Sequence, residues 1–204
     1  MKPALRCVLF DLDGVLADYD KQIRVEHLAH AIGCTAEAVH AAIYKSGIEE
    51  AGDNGALDTA GYLHALSTHL AHPVEAADWV AARRAATTIR PEVLDIAHAV
   101  ARRLPVALLT NNGQLMADTL PQIVPALFPL FAGRAFAAAQ FGAAKPDAAA
   151  YLGCLEALGT TPAATFFIDD SAANVEGARR VGLHAHHYQT LEGMKQALAA
   201  FDLP

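Results

Sequence analysis

Five short apolar or β-branched runs punctuate this chain: Cys7 to Phe10, Val106 to Leu109, Ala135 to Ala139, Thr165 to Ile168 and Leu183 to Tyr188. Between most of them lie alanine- and leucine-rich stretches with helical periodicity, at Pro91 to Arg103, Leu115 to Val124, Asp147 to Leu158 and Asn174 to Val181. Strands separated by helices pair in parallel through crossovers, and a parallel sheet is stable only with both faces covered. The alternation therefore predicts an α/β chain whose strands are buried on both sides.

The interval from Leu16 to about Ile89 breaks this rhythm. It shows no strand pattern and at least four helical stretches, near Lys21 to Ile32, Ala36 to Lys45, Thr59 to Leu70 and Glu75 to Thr87. Thr35 and Asp58 stand where N-caps belong. The expected architecture is a Rossmann-like parallel sheet core with helices on both faces, formed by residues 1–15 and 90–204, with an inserted helical-bundle cap at 16–89. A chain of 204 residues suits one domain carrying such an insertion.

Charge narrows the partners. With 22 acidic and 15 basic residues the formal net charge is −7, which argues against nucleic acid or an anionic membrane as the main partner. Such a chain can still bind phosphate where a metal and fixed donors supply the positive field. The opening residues, Met1 to Arg6, lack the long apolar stretch of a secretory signal, and no apolar run reaches the roughly 18–20 residues of a membrane span. Cys7, Cys34 and Cys154 form no paired motif, which fits a reducing compartment. A cytoplasmic monomer or homodimer is expected.

Chemistry-bearing residues cluster where strands end. Val8-Leu9-Phe10 runs into Asp11-Leu12-Asp13-Gly14, two carboxylates followed by a residue that permits a sharp turn. In open α/β sheets ligands bind outside the carboxyl ends of the strands. The second run ends in Thr110-Asn111-Asn112, and the fourth in Asp169-Asp170, followed by Ser171 and Asn174; Lys145-Pro146-Asp147 falls between them. Each alone has a plain alternative as a cap or a surface charge. Together they place four carboxylates on one edge, where they repel one another unless a cation binds. All-oxygen ligands favour Mg²⁺.

These four segments, in this order, closely resemble the sequence motifs of the haloacid dehalogenase superfamily, and the resemblance spans nearly the whole chain. It implies that Asp11 is a nucleophile forming an aspartyl-phosphate and that Asp13 is the acid that protonates the leaving oxygen and then the base that activates water. It implies that Thr110 binds the transferring phosphoryl group with Asn111 and Asn112 beside it, and that Lys145 neutralises charge on Asp11 and the phosphate. Mg²⁺ would be held by Asp170, with Asp169 close by, a carboxylate oxygen of Asp11 and the main-chain carbonyl of Asp13; Asn174 would support that shell. The dehalogenases of the family lack the second aspartate of the first motif, so Asp13 implies phosphate chemistry. The helical insertion and the segment Phe166 to Ala178 resemble the branch containing sugar-phosphate phosphatases and the phosphatase domain of soluble epoxide hydrolases.

The expected function is Mg²⁺-dependent hydrolysis of a small phosphorylated metabolite, a sugar phosphate first. A phosphomutase of the same fold is the nearest alternative. A phospho-accepting signalling module would need the acidic pairs and the lysine in another order. The histidine pairs His27/His30 and His69/His72 and the group His184, His186 and His187 lack a further ligand at metal spacing. Trp79 fits the core of the insertion, and Tyr19 and Asp20 read equally as linker or as substrate-facing residues.

Overall fold

The computed structural model describes residues 4–204; residues 1–3, assigned above to the core, lie outside the described residues. In chain order the elements are β1 (Cys7–Phe10), β2 (Ala17–Tyr19), α1 (Lys21–Ile32), α2 (Ala36–Tyr44), α3 (Ile48–Asp53), α4 (Thr59–Leu70), α5 (Ala76–Ala85), β3 (Thr87–Ile89), α6 (Pro91–Ala101), β4 (Val106–Thr110), α7 (Gln114–Ile123), β5 (Ala135–Ala137), α8 (Ala148–Ala157), β6 (Thr165–Asp169), α9 (Ala172–Arg180), β7 (His184–His187) and α10 (Leu191–Ala199).

The main sheet has the order β5-β4-β1-β6-β7, and every pairing in it is parallel. β1 is central and buried along its whole length. Its alternate residues feed two separate cores, as the two-residue period of a strand requires. Val8 and Phe10 pack with Leu108, Ile168 and the apolar sides of α6, α7 and α10. Cys7 and Leu9 face the other way, onto Tyr151, Cys154 and Leu155 of α8. The continuous apolar runs are thus strands covered on both faces. The apolar stretch from Pro121 to Phe131 is packing, with Ile123, Val124, Leu127 and Phe131 buried in the first of these cores.

The sequence placed no strand between Leu16 and Ile89, and here the structure differs. β2 and β3 lie at the two ends of that interval and pair antiparallel, Ala17 opposite Ile89 and Tyr19 opposite Thr87. Three residues are too few to display a period, and Thr87, read as the end of a helix, is the first residue of β3. The sequence also missed the six-residue α3 and the terminal α10. Thr35 and Asp58 do cap α2 and α4, and Asp20 caps α1 by accepting from the N–H groups of Gln22 and Ile23.

The five helices between β2 and β3 have their own polar centre. Arg24, 2% exposed, pairs with Glu49 and donates to the hydroxyls of Tyr19 at 3.0 Å and Tyr62 at 3.1 Å. Tyr62 donates to Glu49, and Trp79 donates to the Tyr62 hydroxyl at 3.1 Å. A buried ion pair is tolerated when hydrogen bonds satisfy its remaining donors and acceptors; the tyrosines serve that need for the Arg24 terminal nitrogens and Glu49, while Arg24 Nε has no partner among the described residues. Among the described residues no helix is long and apolar enough to cross a membrane.

Candidate active site

β1, β4 and β6 end side by side, so parallel pairing alone carries their terminal residues to one edge. The Asp11 N–H still donates to Ile168 O at 2.9 Å, which fixes Asp11 beside the end of β6. One carboxylate oxygen each from Asp11, Asp169 and Asp170 lies within 4.8 Å of the others. Asp11 and Asp169 are buried and Asp170 is exposed. Gly14 sits at φ +85, and a Cβ there would overlap Asp170 Oδ2, so the turn after β1 leaves room for that carboxylate because it is glycine.

Lys145 arrives from the loop before α8. Its ammonium is fully buried and donates to three acceptors, Asp11 Oδ1 at 2.8 Å, Asp169 Oδ2 at 2.7 Å and Leu109 O at 3.0 Å, so all three of its hydrogens are matched. Asn111 fixes the loop: its Oδ1 accepts from the Lys145 N–H at 2.7 Å and its Nδ2 donates to Lys145 O at 2.8 Å. The side chain placed by sequence beside the phosphoryl group is thus taken up by the lysine loop. Asn174 donates to both oxygens of Asp169 at 3.1 Å, and the Ser171 N–H donates to Asp169 Oδ1 at 2.8 Å. Asp169 is held by the protein on every side, whereas Asp170 projects outward.

Burial drives the titration of this cluster. It pushes the Asp11 carboxyl upward, the nearby Asp169 and Asp13 carboxylates push the same way, and the Lys145 ammonium opposes them. Burial works to lower the Lys145 ammonium, but the Asp11 and Asp169 carboxylates outweigh it and hold it above its usual range. Asp170 is raised by burial and by the Asp169 carboxylate. Against three carboxylates stand Lys145, which contacts Asp11 and Asp169, and Arg90, which acts on Asp170, so the site retains excess negative charge. Oxygen donors only, an excess of charge and a glycine that makes room for Asp170 together fit a hard divalent cation. Among the described residues this is the one such group of potential ligands; the histidines form none.

Thr110, 1% exposed, accepts from Asn112 Nδ2 at 2.7 Å, and the same Nδ2 lies 3.4 Å from Asp13 Oδ2. Asp13 is not one of the triad; it forms a salt bridge with Arg83 of α5. Arg83 is 1% exposed, and its guanidinium carbon lies 3.8 Å from the centroid of the Tyr19 ring. Sequence reasoning missed Arg83, because an arginine in the last turn of a helix reads as a complement to the helix dipole. Its one distinguishing sign is its position four residues before the linker that returns to the sheet. Arg90, at the far end of that linker, donates to Gly14 O at 2.6 Å and pairs with Asp18.

An open cleft separates the helical insertion from the strand ends. It is lined by Tyr44, Lys45, Glu49, Glu50, Asp53 and Asn111, among others. Burial, reinforced by the Glu49 carboxylate, pushes the Asp53 carboxyl up to about 8.

Known proteins share the sequence pattern and the fold. A family model described as haloacid dehalogenase-like hydrolase matches residues 5–182. A Mycobacterium tuberculosis protein named a phosphatase is 29% identical, the match covering 97% of this chain and 95% of that one. An HAD-like hydrolase from Porphyromonas gingivalis shares the fold with a TM-score of 0.76 at 23% identity, over 95% of this chain and 98% of that one. An HAD family enzyme from Bacteroides thetaiotaomicron, solved with magnesium and inorganic phosphate, does so with a TM-score of 0.74 at 21% identity, over 91% of this chain and 95% of that one. The L-2-haloacid dehalogenase of Xanthobacter autotrophicus has a TM-score of 0.65 at 21% identity, over 96% and 83% of the two chains.

Proposed function

This chain belongs to the haloacid dehalogenase-like hydrolases, and on that premise we propose that it is a Mg²⁺-dependent phosphatase for a small phosphorylated metabolite, acting through an aspartyl-phosphate on Asp11. The observation that carries the reading is the Lys145 ammonium, which bridges Asp11 and Asp169 beside the exposed carboxylate of Asp170.

Phosphatases and dehalogenases share this fold, so the fold does not choose between them. Asp13 favours the phosphatase, because a phosphate ester has a leaving oxygen that needs a proton and a carbon–halogen bond does not. In the first step an Asp11 oxygen attacks phosphorus, the bond to the leaving oxygen breaks, and Asp13 delivers its proton to that oxygen. In the second step Asp13 takes a proton from water as the water attacks the same phosphorus, and the bond to Asp11 breaks to restore the carboxylate. A carboxylate nucleophile thereby divides one hard displacement into two easier ones. Lys145 favours the ionised form of Asp11 against the burial that raises its carboxyl, and Thr110 and Asn112 stand at the end of β4 to receive the phosphoryl oxygens. A divalent cation held by Asp11, Asp169 and Asp170, with the main-chain carbonyl of Asp13, would neutralise charge on the carboxylates and on the phosphoryl group.

The cleft supports a hydroxyl-rich leaving group. Glu50, the carboxyl of Asp53 and the lysine Lys45 line it with polar groups, beside Glu49, which is already paired with Arg24. Such a polar lining suits the hydroxyls of a sugar or short polyol. We place the protein in the cytoplasm.

The test is phosphate release from an aryl phosphate and from a panel of metabolites. Activity should require Mg²⁺, disappear with EDTA and vanish in Asp11→Asn while the fold is retained. Wild-type turnover in Asp11→Asn would refute the covalent mechanism, and a preference for phosphoglycolate over sugar phosphates would refute the reading of the cleft.

A further inference from the structure

Asp13 is held asymmetrically. Its Oδ2 is paired with Arg83 and lies 3.4 Å from Asn112 Nδ2. Its Oδ1 is buried and has no hydrogen-bond partner among the described residues. A buried carboxylate oxygen without a partner is unfavourable, and a catalytic role is one reason for a protein to keep it. Here it belongs to the carboxylate two residues beyond Asp11, which the reading above makes the acid for the leaving group.

The group that imposes this asymmetry comes from the helical insertion, not from the sheet. Arg83 lies in the last turn of α5, and Thr87 Oγ1, at the start of β3, donates to Arg83 O at 2.7 Å. β3 pairs with β2, whose Tyr19 ring supports the guanidinium. β2 in turn follows the Asp13 turn directly, with Gly14 N–H donating to Ala17 O at 2.7 Å. The grip of Arg83 on Asp13 therefore closes a loop through both linkers, and any rotation of the insertion about β2 and β3 would open it. Arg83 is almost wholly buried, whereas the Asp13 side chain is 27% exposed. The fixed partner is the arginine, and the carboxylate is the group being aimed.

Resting on the phosphatase reading above, we propose that Arg83 is a positioning residue for proton transfer: it holds Asp13 by Oδ2 and so presents Oδ1 to the leaving-group oxygen, completing the relay only while the helical insertion is seated on the sheet. A planar guanidinium stacked on an aromatic ring suits this task, because its direction is set before the carboxylate arrives. The insertion thus contributes to the chemistry as well as to substrate selection, and closure and catalysis are coupled through one side chain.

The readout is the dependence of kcat/KM on leaving-group basicity, measured across phenyl phosphates from p-nitrophenyl to unsubstituted phenyl in the full-length protein with Mg²⁺. A good leaving group departs without a proton and a poor one does not. Arg83→Met should lose about 10²-fold on phenyl phosphate, within the range that proton transfer supplies, and at least tenfold less on p-nitrophenyl phosphate. Arg83→Lys should restore a shallow dependence. Asp13→Asn supplies the reference for a missing acid, and Arg83→Gln is read by the same criterion should Arg83→Met fail to fold. Equal losses across the series, or none, in the folded neutral variant would overturn the proposal, as would an Arg83→Lys enzyme as steep as that variant. Asp11→Asn, measured alongside, separates the two failures: retained turnover there refutes the phosphatase reading itself, whereas an inactive Asp11→Asn with parallel losses at Arg83 refutes only the role of Arg83.

Discussion

Replacing Lys145 by methionine tests the electrostatic core of the site. The ammonium is fully buried, 2.8 Å from Asp11 Oδ1 and 2.7 Å from Asp169 Oδ2. At an effective dielectric near 20, each attraction is on the order of 5 kcal/mol before the desolvation of the charges is subtracted. Desolvation removes several kcal/mol per ion, so the pair is not worth its gross attraction. Removing one partner nevertheless leaves buried carboxylates uncompensated, which costs about 3–5 kcal/mol. For a chain of this size each kcal/mol moves Tm by about 2–4 °C, so Lys145→Met should melt roughly 6–20 °C below the wild type at neutral pH without divalent cations. Added Mg²⁺ should raise Tm more in the variant than in the wild type, because a ligand that binds only the folded state stabilises it in proportion to its affinity, and the variant's site carries one more net negative charge. The pH window has a definite sign. The Lys145 ammonium is held above its unfolded value, so its contribution is complete below about pH 10.4 and declines only as pH rises through the higher folded value. Differential scanning fluorimetry with EDTA and with a Mg²⁺ titration measures both effects. A fall in Tm below about 3 °C, or a smaller response to Mg²⁺ in the variant, would refute the account of Lys145 as the charge that makes the carboxylate cluster foldable.

Three further outcomes are expected. Asp53→Asn should remove a pH dependence of stability: the folded carboxyl titrates near 8 and the unfolded one near 3.9, so the folded state holds the extra proton between them and the wild type loses stability as pH rises through that window. The variant should gain on the order of 1–3 kcal/mol over the wild type between pH 5 and pH 8.5, and a difference in Tm that stays flat with pH would contradict this. Gly14→Ala should lower phosphatase activity by about 10²-fold, since the added methyl displaces Asp170 and a misplacement near 1 Å is that damaging; activity within threefold of wild type would contradict the placement. Gly177→Ala puts a Cβ 2.6 Å from Pro146 O, beside Lys145, and should destabilise the fold by about 1–3 kcal/mol in chemical denaturation while lowering kcat.

What could be read from the chain before its structure was whatever the backbone alone decides. β1 is apolar on both faces because both faces are covered, and that made the parallel sheet visible. Asp11, Thr110 and Asp169 follow apolar runs directly, and parallel pairing brings strand ends together without help from any side chain. Lys145 was legible only as one member of a set of motifs, because its reach into the site depends on Asn111 clamping its loop from 34 residues away. Arg83 was not legible from its helix, since nothing in the spacing of α5 says that its last turn meets a carboxylate 70 residues earlier. β2 and β3 were missed for a related reason: three residues carry no period, and their pairing exists only because the insertion leaves and returns at adjacent points. Residues that the sheet positions are therefore written in the local pattern, whereas residues that the insertion positions are written in tertiary contacts. The same division bears on function. The fold is common to a haloacid dehalogenase and to the magnesium- and phosphate-bound enzyme from Bacteroides thetaiotaomicron, so the sheet and its strand ends do not decide what bond is broken. What separates phosphate chemistry from dehalogenation in this reading is a single side chain, Asp13, and the group that aims it comes from the insertion.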